Sequence, residues 1–391
     1  MYGGDALARV DGRVIMAPLA LPGELVRIEV ESDKPQLIRA RVAEVLEPSP
    51  DRIAPRCPHF GRCGGCQYQH AGYEFQVAQK VEILREVLRR VGHLEVDNLE
   101  IPFITAEPFG YRNRIQLHFD ERRMGFHAAG SREIEAINSC DVVSPCLAEA
   151  IKTLREMKRS PRWPRFVRAI ELFTNENEVQ VNVLNSGPRH VNKGFFEWIS
   201  GPMPGALAPA LDYKAAGHDF RVSHKAFFQV NRFLIEPLVD SALDGATGET
   251  ALDLYAGVGL FSLPLALKFK KVTAVEAVTS SSADLTFNAE RHKRPQIKVE
   301  RARTEDFLIA YNGAPPDFVL ADPPRAGLGK EAVTELIRIA PPRIHIVSCD
   351  PPTLARDLHQ FVAGGYRIEA MTMIDLFPQT SHIESVTRLV R

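Results

Sequence analysis

The sequence of 391 residues lacks several features, and each absence excludes a class of protein. No apolar run is long enough to cross a bilayer, and the N-terminus has no basic segment followed by an apolar one, as a secretory signal would. Basic residues are not in excess, since 48 Lys and Arg stand against 49 Asp and Glu for a formal net charge of -1. We therefore expect a cytoplasmic protein without a membrane partner. Any nucleic acid must be bound by local patches rather than by bulk charge.

Cysteine is also scarce. The six cysteines are too few for a disulfide-rich protein, and in a reducing compartment they favour metal binding or catalysis. Three thiols occur close together, at Cys57, Cys63 and Cys66, around a pair of glycines. Cys140 or Cys146 can supply a fourth. Four thiolates suit either zinc or an iron–sulfur cluster, and the spacing does not separate these two sites.

The remaining pattern predicts three regions in a chain too long for one typical domain. Residues 1–46 alternate apolar and charged positions around an Asp11-Gly12 hairpin signal, which predicts a small β-barrel. Residues 57–225 combine a loop over residues 57–70, which we call the cysteine loop, with a helix over 74–91 and mixed strands, as in an α+β domain. Residues 226–391 alternate strands and helices, as a doubly wound α/β domain does. The strands predicted there are 250–255, 271–276, 317–321 and 343–348, with a closing hairpin-like pair at 366–373 and 382–390.

One strand-to-helix turn has the features of a nucleoside pocket. A predicted strand is followed by Gly257 and Gly259, which let backbone approach a ligand closely. Glu276 ends the next strand, where an acid can accept both ribose hydroxyls. NAD is the main rival ligand, but Ser262 replaces the third glycine of its fingerprint, and Asp253 would repel a pyrophosphate. The pattern favours S-adenosylmethionine, whose amino-acid end is cationic.

A thiol and an acid near the C-terminus indicate that the methyl acceptor is a carbon. Cys349 follows a predicted strand at the ligand-binding edge of the sheet, and the helix after it should favour the thiolate. Uracil carbon 5 is a poor nucleophile until a thiolate adds to carbon 6. Glu384 is our candidate for the base that removes the carbon-5 proton, and His382 is the alternative. Asp322 can bridge donor and nucleobase, whereas the following Arg325 replaces the aromatic residue of exocyclic-amine methyltransferases.

These motifs resemble the RNA 5-methyluridine methyltransferase family over nearly the whole chain. The likeness includes Tyr111-Arg112-Asn113-Arg114, the glutamine segment Phe227-Phe228-Gln229-Val230-Asn231 and the nucleophile segment Ser348-Cys349-Asp350-Pro351. The resemblance implies S-adenosylmethionine as donor, RNA as partner and a 4Fe-4S cluster. The residues it implies are cluster ligands Cys57, Cys63, Cys66 and Cys140, donor contacts Gln229, Tyr255, Glu276 and Asp322, nucleophile Cys349 and base Glu384. It also implies that residues 1–46 are a TRAM domain, an OB-like barrel, here expected to lack its first strand.

The resemblance favours one target and leaves alternatives. Family members with both barrel and cluster commonly modify large-subunit ribosomal RNA, so 23S rRNA is favoured and the tRNA T-loop is the alternative. Cytidine methylation is a second alternative, although those enzymes usually carry Pro-Cys where this chain has Pro323-Pro324. A non-catalytic RNA-binding or ribosome-assembly factor is a third, but it would need no thiol–acid pair. We expect the protein to act as a monomer.

Overall fold

The computed structural model describes every residue from Met1 to Arg391. The strands are β1 (Asp5–Val10), β2 (Arg13–Pro18), β3 (Leu25–Lys34), β4 (Leu37–Glu47), β5 (Phe103–Ile104), β6 (Arg114–Phe119), β7 (Met124–His127), β8 (Ile134–Ala136), β9 (Ala169–Thr174), β10 (Val179–Asn185), β11 (Ala210–Ala215), β12 (His218–Ser223), β13 (Thr250–Leu254), β14 (Lys271–Val275), β15 (Ile297–Glu300), β16 (Phe318–Ala321), β17 (Arg343–Ser348), β18 (Arg367–Ile374) and β19 (Glu384–Val390). The helices are α1 (Tyr73–Arg90), α2 (Pro145–Lys158), α3 (Lys193–Ser200), α4 (Ile235–Leu243), α5 (Ser262–Lys268), α6 (Thr279–Arg291), α7 (Thr304–Ala310), α8 (Gly329–Ile339) and α9 (Pro351–Ala363).

The N-terminal module is β-rich, as predicted. Its four strands form one sheet in the order β1-β2-β4-β3. The Asp11-Gly12 signal makes the predicted hairpin, since Val10 pairs with Arg13 and both turn residues have positive φ, 50° and 77°. The sheet stays open because its edge strands β1 and β3 do not pair with each other. A closed barrel is therefore not formed by these four strands.

The central module is an antiparallel sheet covered by helices. Its strand order is β10-β9-β6-β7-β8. Apolar side chains of α2 and α3, such as Leu147 and Phe195, share one core with strand residues such as Leu117 and Leu172. This arrangement confirms the predicted mix of strands and helices in the middle of the chain.

The C-terminal module is built on an eight-stranded mixed sheet in the order β15-β14-β13-β16-β17-β19-β18-β5. The first five strands of this order, β15, β14, β13, β16 and β17, are parallel to one another. Strand β19 lies between β17 and β18 and is antiparallel to both. Along β16, Phe318 and Leu320 face one hydrophobic core while Val319 and Ala321 face the other, because successive residues of a strand point to opposite faces. The doubly wound α/β prediction is confirmed, and all six predicted strands are present.

Two earlier elements join this C-terminal sheet. Strand β5 pairs in parallel with β18, and α1 packs on α9, with Val77 and Leu84 in the same core as Leu354. The helix predicted over 74–91 therefore forms, but its apolar face is buried against the C-terminal module. No helix of the chain combines the length and the apolar character needed to cross a membrane.

Candidate active site and cysteine cavity

The strand order brings the predicted site residues to one edge of the large sheet. Glu276 follows β14, Tyr255 follows β13, Asp322 follows β16 and Cys349 follows β17, while Glu384 begins the antiparallel β19. These five strands are consecutive neighbours in the sheet. Residues spread over more than a hundred positions of sequence therefore line up along the edge where open α/β sheets bind ligands.

The turn after β13 is held in an unusual backbone conformation. Tyr255 has φ 61° and Gly257 has φ 56°, so a residue with a side chain occupies the left-handed region at the end of a strand. Glu276 fastens this turn, because its Oε2 accepts from the Gly257 amide at 2.9 Å and its Oε1 accepts from the Val278 amide at 2.6 Å. Each carboxylate oxygen keeps a free lone pair that can accept from a ribose hydroxyl.

Two further carboxyls stand beside this turn with few partners. Asp253 is fully buried; its Oδ2 accepts from the Ser262 hydroxyl, whereas its Oδ1 has no hydrogen-bond partner. Asp322 accepts from Gln229 Nε2 at 3.2 Å through its Oδ2. Desolvation raises the pKa of Asp253 and of Asp322 to about 7. Buried carboxyls with so few hydrogen-bonding partners favour a positively charged ligand. S-adenosylmethionine is such a ligand, because it carries a sulfonium and an ammonium group.

Cys349 and Glu384 lie next to each other because Ser348 pairs with Ser385 across β17 and β19. Burial, followed by the charges of Glu384 and Asp322, raises the pKa of the Cys349 thiol to about 12, against a lowering by Arg325. Burial and Asp322 also raise the pKa of the buried Glu384 well above its usual value.

The direction of the pKa shift of Cys349 is therefore opposite to the one expected from the helix after it. The N-terminus of α9 is already capped, since Asp350 Oδ1 accepts from the Thr353 amide at 3.0 Å. A carboxylate thus occupies the position where the helix would have stabilised a thiolate, and two further carboxyls flank the sulfur.

The alternative base, His382, has a different environment. Arg325 Nη2 lies 3.1 Å from its Nε2, and burial together with this guanidinium lowers the pKa of His382 to about 4. A group with so low a pKa is a weak base at neutral pH, so the directions of the two pKa shifts favour Glu384 over His382. In the sequence, Arg325 was notable only because it replaces the aromatic residue of exocyclic-amine methyltransferases. Its position as a cation close to both His382 and Cys349 depends on tertiary contacts.

The four thiols of the predicted cluster line one cavity of about 560 Å³: Cys57, Cys63, Cys66 and Cys140. Cys146 is outside this lining set. Burial raises the pKa of Cys66 to about 11 and that of Cys140 to about 12. No three ligating side chains are close enough to share one metal ion. Four thiols around one cavity are the donor chemistry that iron–sulfur clusters use.

Two residues near the site carried no signal in the sequence. The Tyr2 hydroxyl donates to Asp350 Oδ2 at 3.0 Å, which links the N-terminal module to the residue after Cys349. Gln67 hydrogen-bonds to the segment before Glu384. Both contacts join residues more than 300 positions apart, so no local periodicity could reveal them.

Known proteins resemble this chain over its whole length. The family described as tRNA (Uracil-5-)-methyltransferase matches residues 209–391. The 23S rRNA (uracil(1939)-C(5))-methyltransferase RlmD of Salmonella paratyphi A is 33% identical over 99% of this chain and 94% of its own length. An uncharacterized RNA methyltransferase of Aquifex aeolicus is 32% identical over 100% of this chain and 96% of its own.

A solved structure agrees with these sequence matches. The crystal structure of Pyrococcus abyssi tRNA (uracil-54, C5)-methyltransferase in complex with S-adenosyl-L-homocysteine superposes with a TM-score of 0.75 at 25% identity, covering 99% of this chain and 98% of the other. The acids and the thiol along the sheet edge are consistent with the methylation of uracil carbon 5 that the names of these proteins describe. The chain belongs to the S-adenosylmethionine-dependent RNA uracil-C5 methyltransferases.

Proposed function

We propose that this protein methylates carbon 5 of a uridine in 23S rRNA through a covalent adduct between Cys349 and carbon 6 of the base. The observation that carries the proposal is the adjacency of Cys349 and Glu384 at the sheet edge, next to the carboxyl of Asp322. A methyl transfer to nitrogen or oxygen needs no such thiol, because those atoms attack the donor directly.

Four residues are assigned to the donor. S-adenosylmethionine, when bound, supplies an electrophilic methyl group. Glu276 accepts the ribose hydroxyls, and the turn at Tyr255 forms the wall of the donor pocket. Asp322 attracts the cationic part of the donor, and Gln229 orients that carboxylate through its 3.2 Å hydrogen bond. A carboxylate is favoured beside a cation, so donor binding lowers the pKa of Asp322.

Cys349 and Glu384 carry the remaining steps. The Cys349 thiol gives its proton to solvent water as the cationic donor binds near Arg325, since added positive charge lowers the pKa of a thiol. The thiolate forms a bond to uracil carbon 6, and the electron pair of the ring double bond makes carbon 5 nucleophilic. Carbon 5 takes the methyl group as the methyl–sulfur bond of S-adenosylmethionine breaks and S-adenosylhomocysteine leaves. Glu384 then removes the proton from carbon 5. The carbon 5–carbon 6 double bond re-forms, and the sulfur leaves with its electron pair.

The target RNA follows from the relatives. The Salmonella paratyphi A relative named for 23S rRNA is 33% identical, whereas the Pyrococcus abyssi structure named for tRNA is 25% identical. The open N-terminal sheet, as a TRAM-like module, would add contacts to RNA. We expect the protein to methylate a 23S rRNA transcript and the Cys349→Ala variant to be inactive. Equal methylation of tRNA and rRNA transcripts would overturn the assignment of the target, and an active Cys349→Ala variant would overturn covalent catalysis.

The cysteine cavity is proposed to hold a 4Fe-4S cluster through Cys57, Cys63, Cys66 and Cys140. The support is that these four thiols line one cavity and Cys146 does not. After anaerobic reconstitution we expect about four irons per chain, and the same content in Cys146→Ala. Cys140→Ala should lose most of the iron. Equal iron loss in both variants, or zinc in place of iron, would contradict the proposed ligand set.

A further inference from the structure

The segment that leads to Glu384 is buried and anchored from several directions. We name residues 375–383, which connect β18 to β19, the terminal loop. Asp375 accepts from Lys80 Nζ at 2.6 Å and from the Tyr73 hydroxyl at 2.9 Å. The Tyr111 hydroxyl donates to the Pro378 carbonyl at 3.1 Å. The position of Glu384, directly after this loop, therefore depends on contacts with residues distant in sequence.

The cysteine loop anchors the terminal loop close to Glu384. The amides of Gln67 and Tyr68 both donate to the Gln379 carbonyl, at 2.9 and 3.0 Å. The Gln67 side chain uses both ends of its amide: Oε1 accepts from the Ser381 amide at 3.2 Å, and Nε2 donates to the Gly64 carbonyl at 2.9 Å. Gln67 thus bridges the turn between Cys63 and Cys66 to a residue three positions before Glu384.

The backbone at this junction is in a conformation that needs such support. Gln379 has φ 68°, in the left-handed region that a residue with a side chain rarely adopts. On the other side of the loop, Gln76 Nε2 donates to Gln379 Oε1 at 3.0 Å. Strained residues persist only where surrounding contacts fix them, and here those contacts come from the cysteine loop and from α1.

We propose that Gln67 is a positioning residue for the catalytic base: it fixes the terminal loop so that Glu384 stands beside Cys349. This inference rests on the proposed function, in which Glu384 removes the carbon-5 proton. In this proposal the cysteine loop contributes to the reaction by positioning the base, a role that requires no electron transfer. A base displaced by a fraction of an ångström slows proton removal, while thiolate addition and methyl transfer do not depend on it.

The predicted signature is a methylated adduct that persists. If proton removal becomes the slow step, the Cys349–carbon 6 bond remains after carbon 5 has received its methyl group. In Gln67→Leu, which removes both side-chain hydrogen bonds, we expect turnover to fall by roughly tenfold and the steady-state fraction of protein–RNA adduct to rise by a similar factor. A variant that was merely damaged would lose turnover without accumulating the adduct.

The test measures the denaturation-resistant adduct on ordinary uridine RNA by gel and by mass spectrometry, beside turnover and thermal melting of each variant. Gln69→Leu is the matched control, because Gln69 Oε1 accepts from the Cys57 amide at 3.0 Å within the same loop and makes no hydrogen bond to the terminal loop. Gln67→Glu keeps an oxygen that can accept from Ser381 and should return the adduct toward the wild-type level. Glu384→Gln, which removes the base itself, should accumulate the most.

The outcomes separate this inference from the proposed function. Excess adduct in Gln67→Leu but not in Gln69→Leu supports the role of Gln67. Excess adduct in Glu384→Gln together with a wild-type level in Gln67→Leu overturns that role and leaves the proposed function standing. An equal excess in Gln69→Leu also overturns it, since the effect would then belong to the whole loop. Absence of excess adduct in Glu384→Gln overturns the assignment of the base itself.

Discussion

Donor affinity should depend on pH below neutrality, because Asp322, which we assign to the donor, and the nearby buried Asp253 both have raised pKa values. The pKa of Asp253 and that of Asp322 are raised to about 7, above the usual value for aspartate. A cationic donor binds the ionised form, so affinity is full above this pKa and falls as the pH drops through it. Between pH 7.0 and 5.5 the ionised fraction of one such group falls from about one half to about one thirtieth, which is roughly a fifteenfold loss of affinity.

Calorimetric titration with S-adenosylmethionine at both pH values measures this loss directly. If both groups contribute, the loss lies between about fifteenfold and about two hundredfold, and the α-amino group of the donor stays charged throughout this range. In Asp322→Asn we expect weaker binding and a loss of no more than about fifteenfold, because only Asp253 still titrates. An affinity that is flat from pH 7.0 to 5.5 in the folded wild-type protein would refute the role of these carboxyls.

Two further predictions concern contacts that fix the site. Tyr2→Phe removes the hydrogen bond to Asp350 and should lower the single-turnover methylation rate about tenfold with donor affinity unchanged, since a bond to a charged group contributes about 1.5 kcal/mol; an unchanged rate would contradict this. Lys80→Met leaves the buried Asp375 carboxylate without its cation and should lower the free energy of unfolding, measured in urea, by about 3–5 kcal/mol. Adding Asp375→Asn should recover part of that loss, and a loss under about 1 kcal/mol in the single variant would contradict the reasoning.

The sequence predicted the elements that depend on local pattern. Apolar runs bounded by polar or turn residues predicted the six C-terminal strands, and four of them, β13, β16, β17 and β19, are largely buried on both faces. Glu276 was expected to accept ribose hydroxyls, and the structure places its carboxylate at the predicted turn, where it accepts from the Gly257 amide at 2.9 Å. The row of site residues followed from the general rule that parallel strands present their carboxyl ends at one edge.

The parts that the sequence did not predict are set by tertiary contacts. The pairing of β5 with β18 involves only two residues of β5, too few to produce a periodic signal. The pKa of Cys349 was expected to fall because of the adjacent helix, but it is raised by burial and then by the carboxyls of Glu384 and Asp322, which come from other strands. The bridge from Gln67 to Ser381 likewise depends on how the cysteine loop packs against the C-terminal module.

The central claim is that the sulfur of Cys349 bonds transiently to the target uracil, and 5-fluorouridine tests it most directly. A 23S rRNA fragment that the protein methylates is prepared with 5-fluorouridine, which has no carbon-5 proton for Glu384 to remove. With S-adenosylmethionine present, we predict a denaturation-resistant protein–RNA complex whose methylated nucleotide maps to Cys349. Absence of the complex in folded, donor-binding protein, or its attachment to another residue, would contradict the account.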